Sequence, residues 1–184
     1  MVPFRLRREN ACMVMVDIQE RLLPAISNAD EVKQNALKLM RAAEVLGAPF
    51  IYTEQYPKGL GPTDGGLLAS LPEGALYLEK NTFSCCDEED FGKLLDGTGR
   101  PAAIVFGIES HICVLATVLD LLETGRKVAV VSDACGSRDP LKSDRAMAAM
   151  TAAGALAVPA ETVIYHLMGR SGTAEFKELL PLFK

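Results

Sequence analysis

The sequence predicts a single α/β domain over residues 1–184, a three-layer α/β/α fold on a six-stranded parallel sheet. Three observations predict it. Six short runs rich in Val, Ile and Leu are continuously apolar rather than alternating, the pattern of strands covered on both faces. Segments of helical period separate these runs, so strand and helix alternate along the chain. No repeat, low-complexity tract or composition break divides the 184 residues, which are enough for one real core.

The strand runs are "CMVMVD", "PFIYTE", "ALYLEK", "AAIVFG", "KVAVVSD" and "ALAV". The first helix, "ADEVKQNALKLMRAAEVLG", places Val32, Ala36, Leu39, Met40, Ala43 and Leu46 on one face. Gly47 and Pro49 stop it. "DEEDFGKLLDG" is acidic in its first turn, as the helix dipole favours. "HICVLATVLDLLETG" ends at Gly125, and "PLKSDRAMAAMTAAG" starts on Pro140 and ends at Gly154. "ETVIYHLM" and "TAEFKELLPLF" read as short helices closing the domain. The stretch from Gln55 to Gly66, "QYPKGLGPTDGG", reads as a loop, either a plain surface connection or a lid beside a pocket.

Composition excludes several classes. A net charge of −5 argues against a broad nucleic-acid surface. The one basic cluster, "RLRRE", is short and runs straight into Glu9 and Asn10, so it reads as a solvated edge. No stretch is long enough to span a membrane, and "ACMVMV" is too short for a signal segment. A cytoplasmic protein is expected. Five cysteines, with no C-x-x-C pair, and only two histidines argue against a disulfide framework and a structural metal. The thiols are therefore inert core residues or chemistry.

Ligands of open α/β sheets bind outside the carboxyl ends of strands. Asp17 ends the first strand and Lys80 the third. Glu109, Ser110, His111 and Cys113 follow the fourth; Asp133 and Cys135 follow the fifth. No dinucleotide or P-loop glycine pattern follows any strand. If Ser110 caps the next helix, Cys113 falls at its third position, where unpaired amides favour thiolate. A small buried residue packing helix onto sheet is the other reading, and the residues alone leave both open. Asp17 could equally cap a loop, and Lys80 could be a solvated lysine beside Glu79. As a set, however, they offer a nucleophile, a base and an ammonium to hold the base ionised.

Three motifs in order, "VDIQ" (Asp17, Gln19), "EKNTFS" (Lys80, Phe83, Ser84) and "GIESHICV" (Gly107, Cys113, Val114), resemble the isochorismatase-like cysteine hydrolases. The resemblance covers nearly the whole chain and is closest to the isochorismatase-domain-containing subgroup. It implies a Rossmann-like fold and a catalytic triad of Asp17, Lys80 and Cys113. It also implies a non-proline cis peptide between Ile108 and Glu109, with the amides of Glu109 and Cys113 forming an oxyanion hole. Gln19, Phe83 and His111 are then candidate substrate contacts, with His111 also a candidate structural residue. Metal-dependent relatives carry histidines after the second strand, where this chain has "TEQYPKGLG", so no metal and no cofactor are expected.

The expectation is thus a metal-independent hydrolase of a small amide or related acyl compound, acting on a C–N bond through a thioester. Its partners would be a small-molecule substrate and copies of itself, with neither nucleic acid nor membrane. Two rivals remain: a non-catalytic small-ligand or protein-interaction module on the same scaffold, and a thiol redox protein with Cys85, Cys86 or Cys135 as resolver. The Cys113 pKa is expected below the ordinary thiol value of about 8.5, with the helix terminus and Lys80 outweighing Asp17.

Overall fold

The computed structural model describes residues 4–184, so the first three residues of the expected 1–184 domain lie outside the described residues. Six parallel strands form one sheet: β1 (Ala11–Val16), β2 (Phe50–Gln55), β3 (Leu76–Lys80), β4 (Ala102–Ile108), β5 (Lys127–Gly136) and β6 (Leu156–Val158). Their spatial order is β3-β2-β1-β4-β5-β6. The chain winds outward to β3, returns to the centre at β4, and winds out the other way. The reversal leaves a crevice at the carboxyl ends of β1 and β4, the usual ligand site of such sheets.

Eight helices complete the fold: α1 (Ala29–Leu46), α2 (Pro57–Leu60), α3 (Gly65–Leu68), α4 (Glu89–Gly97), α5 (Leu115–Glu123), α6 (Pro140–Ala153), α7 (Ala160–Met168) and α8 (Ala174–Leu179). Helix α1 packs with α7 and α8 against one face of the sheet, and α5 packs with α6 on the other. Every residue of β1 and β4 is buried, whereas edge strands β3 and β6 are partly exposed. Continuous apolar runs therefore mark the centre of the sheet, as double coverage requires. Among the described residues no helix is long and apolar enough to cross a membrane.

Local signals explain the boundaries. Helix α1 ends on Gly47 at φ 63°, and α6 starts on Pro140 with the Asp139 carboxylate accepting from the Leu141 amide. The expected loop from Gln55 to Gly66 is more ordered than its Gly and Pro content suggests. It contains α2 and the start of α3, and Thr63 bridges back to Gln19 in antiparallel fashion. Asp64 caps α3 by accepting from the Gly66 and Leu67 amides, and Lys33 approaches its carboxylate at 2.7 Å. Strand β5 runs past the expected Asp133 to Gly136, with a register irregularity where it pairs with β4 between Val105 and Gly107.

Gly107 sits where β4 meets β1, at φ 132°. A Cβ there would lie 2.0 Å from the Val16 carbonyl oxygen, backbone that cannot yield without opening the β1–β4 ladder. Gly107→Ala is accordingly expected to cost about 3 kcal/mol or more, or to prevent folding. Denaturant unfolding checks this; a loss under about 0.5 kcal/mol would contradict the packing described.

Candidate active site

Asp17 is the first residue past β1 and is fully buried, with φ 51°, a left-handed conformation unusual for a residue with a Cβ. That turn aims its carboxylate into the crevice. Oδ1 accepts a hydrogen bond from Thr53 Oγ1 at 2.7 Å. Oδ2 lies 2.7 Å from Lys80 Nζ, yet no donor is aligned on it, so the lysine acts there as a charge.

Lys80 closes β3 and is equally buried. Its Nζ donates to Gln55 Oε1 at 2.6 Å and to the carbonyls of Thr82 and Phe83 at 3.1 and 3.3 Å. These acceptors compensate an ammonium out of water. Burial disfavours that charge, but Asp17, followed by the sulfurs of Cys113 and Cys85, outweighs it and raises the lysine's pKa, so Lys80 stays an ammonium. Burial pushes the Asp17 carboxyl above its ordinary range, held back in part by Lys80 and Thr53. A carboxylate so raised is a stronger base than one in water.

Cys113 is 7% exposed and faces this pair; Asp17 and Lys80 both act on its thiol. Burial first, then the Asp17 charge, pushes the thiol up to about 12, against the opposing pull of Lys80. The expected depression of its pKa is therefore corrected: Cys113 rests as a neutral thiol. The cap assignment is corrected too. Glu109, not Ser110, occupies the cap position, without a side-chain cap bond. Ser110 Oγ instead accepts from Ser143 Oγ at 2.9 Å. Residues Ser110–Val114 form a wider turn with a Val114 N–H to Glu109 carbonyl bond at 3.3 Å, before α5 proper begins. Five-residue turns of this kind collect at functional sites.

The peptide between Ile108 and Glu109 is cis. The Glu109 carboxylate turns away from Asp17 to Arg138, accepting from its backbone N–H at 2.9 Å and pairing with its guanidinium at 2.9 Å. His111 is half-buried, with Nδ1 2.9 Å from Ser137 Oγ. Phe83 is 64% exposed, and its carbonyl serves Lys80. Gln19 is not available to a substrate. It is fully buried, with Nε2 donating to the Gln55 and Gly61 carbonyls and Oε1 accepting from the Gln55 amide. It clamps the segment after β2 and so fixes Gln55 against Lys80.

Thr53 and Gln55 are the residues that the sequence reading missed. Both lie at the carboxyl end of β2, where the rule that singled out Asp17 and Lys80 applies equally. The other four thiols are free, and all are raised by burial: Cys12, Cys85 and Cys135 to about 12, Cys86 to about 11. Among the described residues, no three His, Cys, Asp or Glu side chains gather as metal ligands.

Residues 11–162 match the family profile described as Isochorismatase domain. The chain belongs to the isochorismatase family. It is 34% identical to mouse isochorismatase domain-containing protein 2A over 98% of this chain and 85% of that protein. Among solved structures, this isochorismatase-family chain is similar to the MAR1 ribonuclease of Caenorhabditis elegans, with a TM-score of 0.93 and 37% identity over 98% of this chain and 92% of that one. It is also similar to the Escherichia coli YcaC product, described as an octameric hydrolase of unknown specificity (TM-score 0.91, 29% identity, covering 99% and 92%).

The charge arrangement sets the thiol's reactivity. Alkylation of native protein by iodoacetamide, mapped by peptide mass from about pH 6 to about pH 10, should rise at Cys113 roughly tenfold per pH unit with no plateau. A plateau at neutral or acidic pH would contradict a thiol held neutral by burial and Asp17.

Proposed function

We propose that the chain is a cysteine hydrolase that cleaves a small amide or related acyl compound without a metal, through a thioester on Cys113. The observation that carries this reading is the buried Asp17–Lys80 pair, 2.7 Å apart and acting on the Cys113 thiol at the carboxyl ends of β1 and β4; Cys85 feels the same two charges but is fully buried. A purely structural ion pair needs no cysteine on it, and a binding module needs neither.

In this mechanism, Asp17 takes the thiol proton as Sγ attacks the acyl carbon. The amides of Glu109 and Cys113 receive the developing oxyanion. Asp17 then returns the proton to the leaving amine, which departs and leaves the thioester. Water, activated by the same carboxylate, releases the acid and restores the thiol. Lys80 stays charged throughout and offsets whichever negative charge is present, on Asp17 or on sulfur. Because the thiol rests neutral, attack and proton transfer are coupled, and no free thiolate accumulates. Cys113 is only 7% exposed, which suits a small substrate. The redox alternative is weakened by the other thiols, all held neutral by burial. A cytoplasmic homo-oligomer belongs to the same reading, supported by five free cysteines and by the octameric YcaC relative.

A screen of small amides for ammonia release should find turnover that Cys113→Ala abolishes and chelation leaves intact. Asp17→Asn and Lys80→Ala should each lower kcat by about a thousandfold or more with the fold intact. Intact-mass analysis should trap the acyl adduct on Cys113. Activity lost to chelation, near-normal turnover in either variant, or RNA cleavage dependent on Cys113 without ammonia release from any amide, would contradict the proposal.

A further inference from the structure

The charged residues of the basic run "RLRRE" are exposed, as a solvated edge requires, but the run is also held in place. Leu6 is fully buried and anchors the segment to the core. The Asn10 side chain accepts from the Arg7 amide at 2.8 Å and donates to the Arg5 carbonyl at 3.1 Å. This turn is therefore fixed, and it fans Arg5, Arg7 and Arg8 outward. They meet the end of α7, where Arg170 and His166 complete a hollow of about 300 Å³. Four guanidiniums and one carboxylate, Glu9, line it. Arg8 pairs with Glu9 at 3.1 Å and Glu175 at 3.3 Å. Among the described residues, Arg5, Arg7 and Arg170 lie within ion-pair distance of no carboxylate. Arg7 is near enough for its charge to act on Glu9, but four guanidiniums against that one lining carboxylate are a local exception in a chain of net charge −5. His166 Nδ1 is also buried there without a hydrogen-bond partner.

A second hollow of about 240 Å³ adjoins the first through Met168, Gly169 and Arg170. Its walls include Tyr165, 40% exposed, and Phe176, whose rings meet edge to face at 6.4 Å, while Phe183 lies tilted on the tyrosine ring at 5.6 Å and leaves part of it open. Planar guanidiniums match phosphate oxygens two at a time, and an exposed aromatic face beside them suits a flat heterocycle. We propose that the two hollows form a nucleotide site, with a diphosphate on Arg5, Arg7 and Arg170 and the base against Tyr165. The site lies ahead of β1 and at the far end of α7, at the amino edge of the sheet. Asp17, Lys80 and Cys113 lie at the carboxyl edge, so this ligand is distinct from the hydrolase substrate.

Isothermal titration at low salt with ADP, pyrophosphate and adenosine tests the assignment. ADP should bind at least about tenfold tighter than pyrophosphate, with adenosine alone undetected. Removing both Arg7 and Arg170 as alanine variants should weaken both phosphates by at least about tenfold, since each loses a bidentate contact. Tyr165→Ala should weaken ADP and spare pyrophosphate. Cys113→Ala should bind ADP normally, which separates this site from the catalytic one. Both arginines are exposed, so an unchanged thermal midpoint is the control for folding. No ADP binding, equal affinity for ADP and pyrophosphate, or binding indifferent to the arginine and tyrosine substitutions would overturn the proposal.

Discussion

The buried ion pair between Asp17 and Lys80 is the constraint around which the rest of the crevice is arranged. Two opposite charges with fully buried side chains, 2.7 Å apart, persist only where other polar groups help to offset the cost of their burial. The carboxylate takes the Thr53 hydroxyl; the ammonium takes the Gln55 amide oxygen and two backbone carbonyls. Those acceptors must be held still. Gln19 does so for Gln55, with three bonds that tie the end of β2 to the Gly61 turn. A residue with no hydrogen bond to Asp17 or Cys113 side chains thus governs where the ammonium sits.

The same pair explains why the thiol rests protonated. Placed against a lone ammonium, Cys113 would be drawn toward thiolate; placed against a lone carboxylate, it would be locked as thiol. Here both are present, and burial disfavours a third charge, so the proton stays on sulfur. The sheet topology brings these groups together. Asp17 leaves β1 and Cys113 follows β4, the two strands that flank the reversal in strand order, while Lys80 reaches in from β3. The result is a neutral thiol beside a carboxylate of raised pKa, the arrangement on which the proposed mechanism rests.

Much of this was legible in the chain. The apolar runs located all six strands, although the double coverage they imply holds at the centre and not at the partly exposed edges β3 and β6, and asking which polar residues follow a strand end found Asp17, Lys80 and the Glu109–Cys113 turn. The same question, put to β2, would have found Thr53 and Gln55; the run "PFIYTE" was cut one residue before Gln55. Three readings failed for physical reasons. The Gln55–Gly66 stretch looked like loop because its order comes from distant partners, Gln19 and Lys33, rather than from local propensity. Ser110 looked like a cap because its neighbours suit one, but Ser143 takes part in its bonding instead. The thiol pKa was misjudged because a sequence shows charges and helix starts, whereas desolvation depends on how deeply the folded chain buries a group.

Asp17 and Lys80 are coupled charges rather than two independent buried residues. A double-mutant cycle on unfolding free energy, with Asp17→Asn, Lys80→Met and the pair together, measures that coupling directly. Each single substitution should cost about 3–5 kcal/mol by stranding its partner's charge, and the double should cost clearly less than the two combined. Costs that add to within about 0.5 kcal/mol would contradict the claim.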